Sequence, residues 1–262
     1  MADGQTIRAG GEIRVDHDAG ITRLTIASPG KKNALSQAMY LAICAALDAA
    51  AAADDVKVVV LQGADGVFTS GNDVAEFGGP VGGGKVPSIQ FLETIAAFPK
   101  PIVAQVEGLA IGIGSTMLLH CDLIYAAEGT RFQLPFVNLG LVPEAASSYL
   151  LPRLMGAARA SELLLLGEMF SAAVAQEVGL VTQVLPVQDL AAHVQARAVA
   201  LAAKPPHALR RTKALVRSLP AGIVLGRIAE ETEVFSACVA GPEFAEALAA
   251  FQEKRPPDFS KL

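Results

Sequence analysis

Apolar and polar residues alternate over Glu12–Asp16 and Ile21–Ala27, on either side of Asp18-Ala19-Gly20, and this pattern predicts a β-hairpin. From Ser36 to Ala53 the chain is almost all helix formers, with Ser36 as the N-cap and so much alanine that close helix packing is expected. Val56–Gln62 is a continuous apolar run, the pattern of a strand buried on both faces, and it calls for a parallel sheet with helical crossovers. A helix is predicted over Ile89–Ala97. Pro99 and Pro101 then force an extended entry into a buried strand, Ile102–Val106. Gly108, Gly112 and Gly114 punctuate the next stretch before a short buried helix, Ser115–Leu119, and a second buried strand, Cys121–Ala126. Further on, Pro152–Leu166 reads as one helix stopped by Gly167. Ser171–Val178 is a capped helix and Gly179–Leu185 a short strand. From Leu190 only helices follow: Leu190–Ala203, Pro206–Leu219, Ile223–Val239 and Pro242–Gln252. An α/β core over residues 1–195 and a helical module over 196–262, of the kind that packs on another subunit, are expected.

Composition narrows the function. Hydrophobic residues make up 52% of the 262 and charged ones 18%, which excludes disorder for most of the chain. A net charge of −5 and the lack of a basic stripe argue against nucleic acid. The cationic residues Arg210, Arg211, Lys213 and Arg217 recur at helical spacing, which reads as a solvated face. The alternative is a site for a phosphate-bearing ligand or an acidic neighbour. The N-terminal MADGQTIRAGGE has no apolar leader or anchor, and the longest apolar stretch, Leu109–Leu119, is too short to span a bilayer. Cys44, Cys121 and Cys238 sit apart among apolar neighbours, as reduced core residues of a cytoplasmic protein would. His17, His120, His193 and His207 have no partners at metal-ligand spacing, so no metal is expected and His120 reads as a core residue.

Three stretches carry candidate chemistry. Thr69-Ser70-Gly71-Asn72-Asp73 and Gly112-Ile113-Gly114 each end a strand and open towards a helix. Together, two loops of this kind supply the pair of backbone N–H donors that an enolate oxygen requires, although nothing in the sequence pairs them in space. The third is Glu144, an acid between Pro143 and a string of small residues. It suits a buried base as well as the first turn of a helix, where the macrodipole favours it. Asp73 reads as a cap, and Glu76–Ser88, with its run of glycines, as a mobile surface loop and a candidate lid. The GGGK within that loop lacks the frame of a phosphate loop, and Gly108, Gly112 and Gly114 make no GxGxxG.

The segments VFTSGND, PKPIVAQVEGLAIGIG, CDLIYAAEGTRF and LGLVPEAASSYLL resemble the crotonase superfamily, the enoyl-CoA hydratase/isomerase family, over nearly the whole chain. The resemblance implies a ClpP-like spiral of ββα units with a C-terminal helical trimerisation module, giving a homotrimer or a dimer of trimers. It also implies an acyl-CoA thioester substrate, with coenzyme A part of the substrate and no separate cofactor, and a role in fatty-acid metabolism. The peptide N–H groups of Asn72 and Ile113 would hold the thioester oxygen. Lys31 or Lys32 would meet the nucleotide phosphates, Ser70 and Gly71 (beside Thr69) would line the pantetheine path, and Phe136 would form part of the acyl pocket. Where the hydratase branch carries its two glutamates, this chain has Thr116 and Phe136, whereas Glu144 matches the lone acid of the 3-enoyl-CoA/2-enoyl-CoA isomerases. The resemblance therefore points to an isomerase with Glu144 as sole acid/base. A hydratase, a ring-opening isomerase, a thioester hydrolase or a non-catalytic acyl-CoA-binding member are the alternatives.

Overall fold

The computed structural model describes residues 5–8, 11–76, 85–217 and 222–262. A strand that the alternation does not reveal, β1 (Gln5–Arg8), pairs with the first arm of the hairpin, β2 (Glu12–Asp18), which is joined to β3 (Ile21–Ala27). Asp18 pairs with Ile21, so the turn is the two residues Ala19-Gly20, both with positive φ (49° and 81°), the backbone twist that suits a tight hairpin. Helix α1 (Gln37–Ala52) starts where expected, with the Ser36 hydroxyl accepting the Met39 N–H. It crosses over to β4 (Val58–Gly63), which lies parallel to β3.

The double burial predicted for this strand is explained by two separate apolar clusters. Val59 and Leu61 face the core under α1, and Val58 and Val60 face a second core. Helix α2 (Pro87–Ala97) begins on a proline at its first position, so Pro87 and Ser88 belong to a helix and not to the loop expected over Glu76–Ser88. Residues 77–84 of that candidate lid lie outside the described residues.

After β5 (Ile102–Val106) the glycine segment holds more structure than its composition suggests: a strand β6 (Leu109–Ile111), a four-residue helix α3 (Ile113–Thr116) and a 3-10 turn Met117–His120. Then come β7 (Leu123–Ala127) and β8 (Arg131–Gln133). The helix expected over Pro152–Leu166 is two: α4 (Ser147–Met155) and α5 (Ala157–Leu166), broken at Gly156 (φ 81°). Pro152 sits inside α4 and does not start it, since the helix begins five residues earlier at Ser147. The chain continues through β9 (Phe170–Ser171), α6 (Ala172–Glu177), capped by Ser171 as expected, and β10 (Gln183–Leu185). The helices α7 (Val187–Ala202), α8 (Pro206–Val216), α9 (Ile223–Val239) and α10 (Pro242–Glu253) follow.

The main sheet runs β1-β2-β3-β4-β5-β7-β10, and its strands from β3 onward are parallel. A small sheet, β6-β8-β9, stands beside it. Helix α7 covers one face through Leu190, Val194 and Ala198, while α1 and α2 cover the other. The terminal helices return to the core under α1 and α2, where Ile228 of α9 and Phe244 of α10 are buried. The cationic residues of α8 are not simply a solvated face. Lys213 and Arg217 both turn inward to Asp122, the acidic neighbour that the spacing left open, at 2.8 and 2.9 Å. Cys44 and Cys121 are buried, Cys238 is partly so, and all three are free thiols. No single described helix is long and apolar enough to cross a membrane, and no group of potential metal ligands occurs among the described residues.

Candidate active site

The two glycine-bearing loops meet. Thr69 and Ala110 form a parallel bridge, with the Thr69 N–H donating to Leu109 O (2.9 Å) and the Ile111 N–H to Thr69 O (3.2 Å). Two close approaches explain the glycines. A methyl on Gly71 would stand 2.8 Å from Ile111 O, on a backbone with φ of +93°, and one on Gly114 would stand 2.5 Å from Thr69 Cγ2. Asn33 staples the assembly from behind. Its side-chain amide donates to Ala64 O and Val67 O, its Oδ1 accepts the Ser28 N–H, and its own carbonyl accepts the Thr69 hydroxyl.

This packing sets the direction of two peptide groups. Leu35 bridges to Asn72 by giving its N–H to Gly71 O and taking the Asp73 N–H, so the Asn72 N–H points to the opposite side. Ile113 is the first residue of α3, where no carbonyl one turn earlier exists to accept its N–H. The Asn72 side chain is also oriented, since its Oδ1 accepts a hydrogen bond from the fully buried Tyr40 hydroxyl at 2.5 Å.

Glu144 comes to the same place from the other side. The Thr116 hydroxyl donates to its Oε1 at 3.4 Å, a long contact. Thr116 is three residues on from Ile113 in the same short helix, so the carboxyl contacts the element whose first N–H is that of Ile113. Glu144 stands two residues before the N-cap of α4, outside the helix, so the macrodipole of a first turn is not what holds it. Burial pushes its pKa up to about 8, the charge of Glu231 adds to the rise, and the Thr116 hydrogen bond opposes it. The charge of Glu144 in turn helps to raise the Tyr40 phenol, after burial itself.

The turn that presents Glu144 is strained. Ala145 and Ala146 both have left-handed backbones (φ 62° and 56°), a conformation that costs an alanine about 1–2 kcal/mol. Two clamps hold it. His120, a core residue as expected and kept neutral because burial lowers its pKa to about 4, donates from Nε2 to Ala145 O at 2.9 Å. Glu231 of α9, 6% exposed, accepts the Ala146 N–H at 2.6 Å, and its other oxygen accepts the Ser148 N–H at 3.0 Å and the Ser148 hydroxyl at 2.5 Å.

The remaining predicted residues are spread around this centre. Lys31 is exposed and ion-paired with Asp73 at 2.6 Å, and its backbone carbonyl accepts the Ser70 hydroxyl at 3.1 Å. Asp73 is a cap, accepting the Ala75 N–H. Phe136 is buried (4% exposed) at the start of the 3-10 turn Val137–Leu139. Reading the sequence missed Tyr40 and Glu231. One signal was there for Glu231: it interrupts the apolar stripe Val224, Ile228, Phe235 of a helix.

A family model described as enoyl-CoA hydratase/isomerase matches residues 16–261. The chain belongs to the enoyl-CoA hydratase/isomerase family. Its similarity to the rat protein named enoyl-CoA delta isomerase 2 is 40% identity over 82% of this chain, which spans 56% of that relative's length. With the Escherichia coli 2,3-dehydroadipyl-CoA hydratase it shares 32% identity over 95% of this chain and 98% of the other. An enoyl-CoA hydratase/isomerase structure from Pseudoalteromonas atlantica superposes with a TM-score of 0.91 at 40% identity, covering 94% of this chain and 99% of that one. The crotonase-type ββα spiral with its helical C-terminal region is therefore the fold of this family member.

Proposed function

We propose that this chain is an enoyl-CoA isomerase, which moves a double bond from the 3 to the 2 position of an acyl-CoA thioester. The observation that carries the reading is one carboxyl group, Glu144, held against Thr116 of the short helix whose first residue is Ile113. Glu144 as carboxylate takes a proton from the carbon next to the thioester, and the carbonyl oxygen gains the charge. The N–H groups of Asn72 and Ile113 stabilise that enolate, each contributing about 2.7–4 kcal/mol in comparable sites. As the electron pair returns, Glu144 delivers its proton to the carbon two positions further on. Protons and electrons balance with no added cofactor, since coenzyme A belongs to the substrate.

A hydratase needs a second acid facing the same water. Thr116 and Phe136 supply none, and both oxygens of Glu231 are taken up by the start of α4. Full-length similarity to the Escherichia coli hydratase favours hydration as the second reading. Lys31 would meet the phosphates of coenzyme A, Thr69, Ser70 and Gly71 would line the thioester arm, and Phe136 would meet the acyl chain. Exposed apolar side chains on the terminal helices, Val216, Leu225, Val234 and Phe251, support a homotrimer or a pair of trimers. Incubating the protein with 3-hexenoyl-CoA and with crotonyl-CoA tests the choice. The expected result is formation of 2-hexenoyl-CoA with little hydration of crotonyl-CoA, and dominant hydration would reverse the assignment.

A further inference from the structure

We propose that Glu231 of helix α9 is a positioning residue for Glu144, holding by its hydrogen bonds the turn that presents the base and bearing on that base through its charge. This rests on reading Glu144 as the acid/base. Ala146 occupies the N-cap of α4 but has no side-chain oxygen to cap with, and Glu231 supplies the missing acceptor from 85 residues away in sequence. One carboxylate satisfies three donors at the start of α4, and all three belong to residues within four of Glu144. With His120 on the carbonyl of Ala145 and Glu231 on the N–H of Ala146, both ends of the peptide unit between the two left-handed alanines are held.

The charge acts in the same place. Glu144 faces Thr116 of α3, Tyr40 of α1 and Glu231 of α9, and His120 reaches its turn from the 3-10 turn after α3. Tyr40 stays protonated and His120 neutral, so among these groups Glu231 is the one whose negative charge can hold a proton on Glu144. Glu231 is itself raised by burial, against the pull of Ser148, Ala146 and the nearby Arg227. Its three hydrogen bonds are those of an ionised acceptor. A base that gives up its proton only near pH 8 is also a competent donor for the second half of a proton shuttle.

The test compares wild type with Glu231→Gln and with Glu231→Gln combined with Ala146→Gly, the glycine removing the strain so that the fold survives even if the cap is weakened. The readout is the titration of the protonated-carboxyl infrared band that disappears in Glu144→Gln, beside the pH profile of kcat. Expected are a shift of the band midpoint to lower pH by about half a unit or more, a matching shift of the acidic limb, and a kcat at least about tenfold below wild type in the single variant. In the double variant stability returns while the midpoint stays shifted. An unmoved midpoint in either folded protein overturns the proposal. Unchanged activity in Glu144→Gln overturns instead the reading on which it rests, so the two failures are distinct.

Discussion

Burial and the neighbouring Glu231 carboxylate keep the proton on the Glu144 carboxyl to about pH 8, against the pull of the Thr116 hydroxyl. Two consequences have opposite signs. For activity, the carboxylate is the form that starts the reaction, so kcat/KM should rise about tenfold per pH unit below 8 and level off above it, as initial rates on 3-hexenoyl-CoA from pH 6 to 9 would report. For stability, the folded pKa lies above the ordinary 4.5, so the protein loses stability as pH rises from that value through about 8. Glu144→Gln, which cannot ionise, should therefore melt above wild type at pH 8.5 and close to it at pH 4.5, by thermal scans at the two pH values. The sequence made this residue visible as an acid between Pro143 and small residues, but left a buried base and the first turn of a helix equally open. It gave no sign of the Ala145-Ala146 backbone, since left-handed alanines persist only through partners that come from α9 and from His120.

Among the elements, the two glycine loops show what pattern can and cannot reveal. Each was legible as a strand end with a turn. Their crossing was not, because Gly71 against Ile111 and Gly114 against Thr69 are contacts between segments some 40 residues apart. The strands β6 and β8 escaped for a related reason: three-residue strands carry too little alternation to register, and they exist because they pair with one another and with β9. Gly71→Ala would place a methyl 2.8 Å from a carbonyl oxygen on a left-handed backbone and so push the Asn72 N–H out of line. A loss of about 10²–10³ in kcat is expected from steady-state kinetics.

For the molecule as a whole, the terminal helices are tied to the sheet that carries the site. The helical spacing of the α8 cations was plain in the sequence, but not its target, which follows from Asp122 ending the approach to β7 just where α8 passes. Asp122 also accepts the Ile102 N–H at 2.8 Å, so one carboxylate joins β5, β7 and α8. Asp122→Ala leaves Lys213, 9% exposed, without its charge partner, and urea unfolding should show a loss of about 1–3 kcal/mol.

The kcat of Glu144→Gln on 3-hexenoyl-CoA, measured beside its affinity for the same thioester, bears on the chemistry most directly. A fall of about 10²–10⁴-fold with binding retained is the expected result. Turnover within about tenfold of wild type would contradict the assignment of proton transfer to this carboxyl.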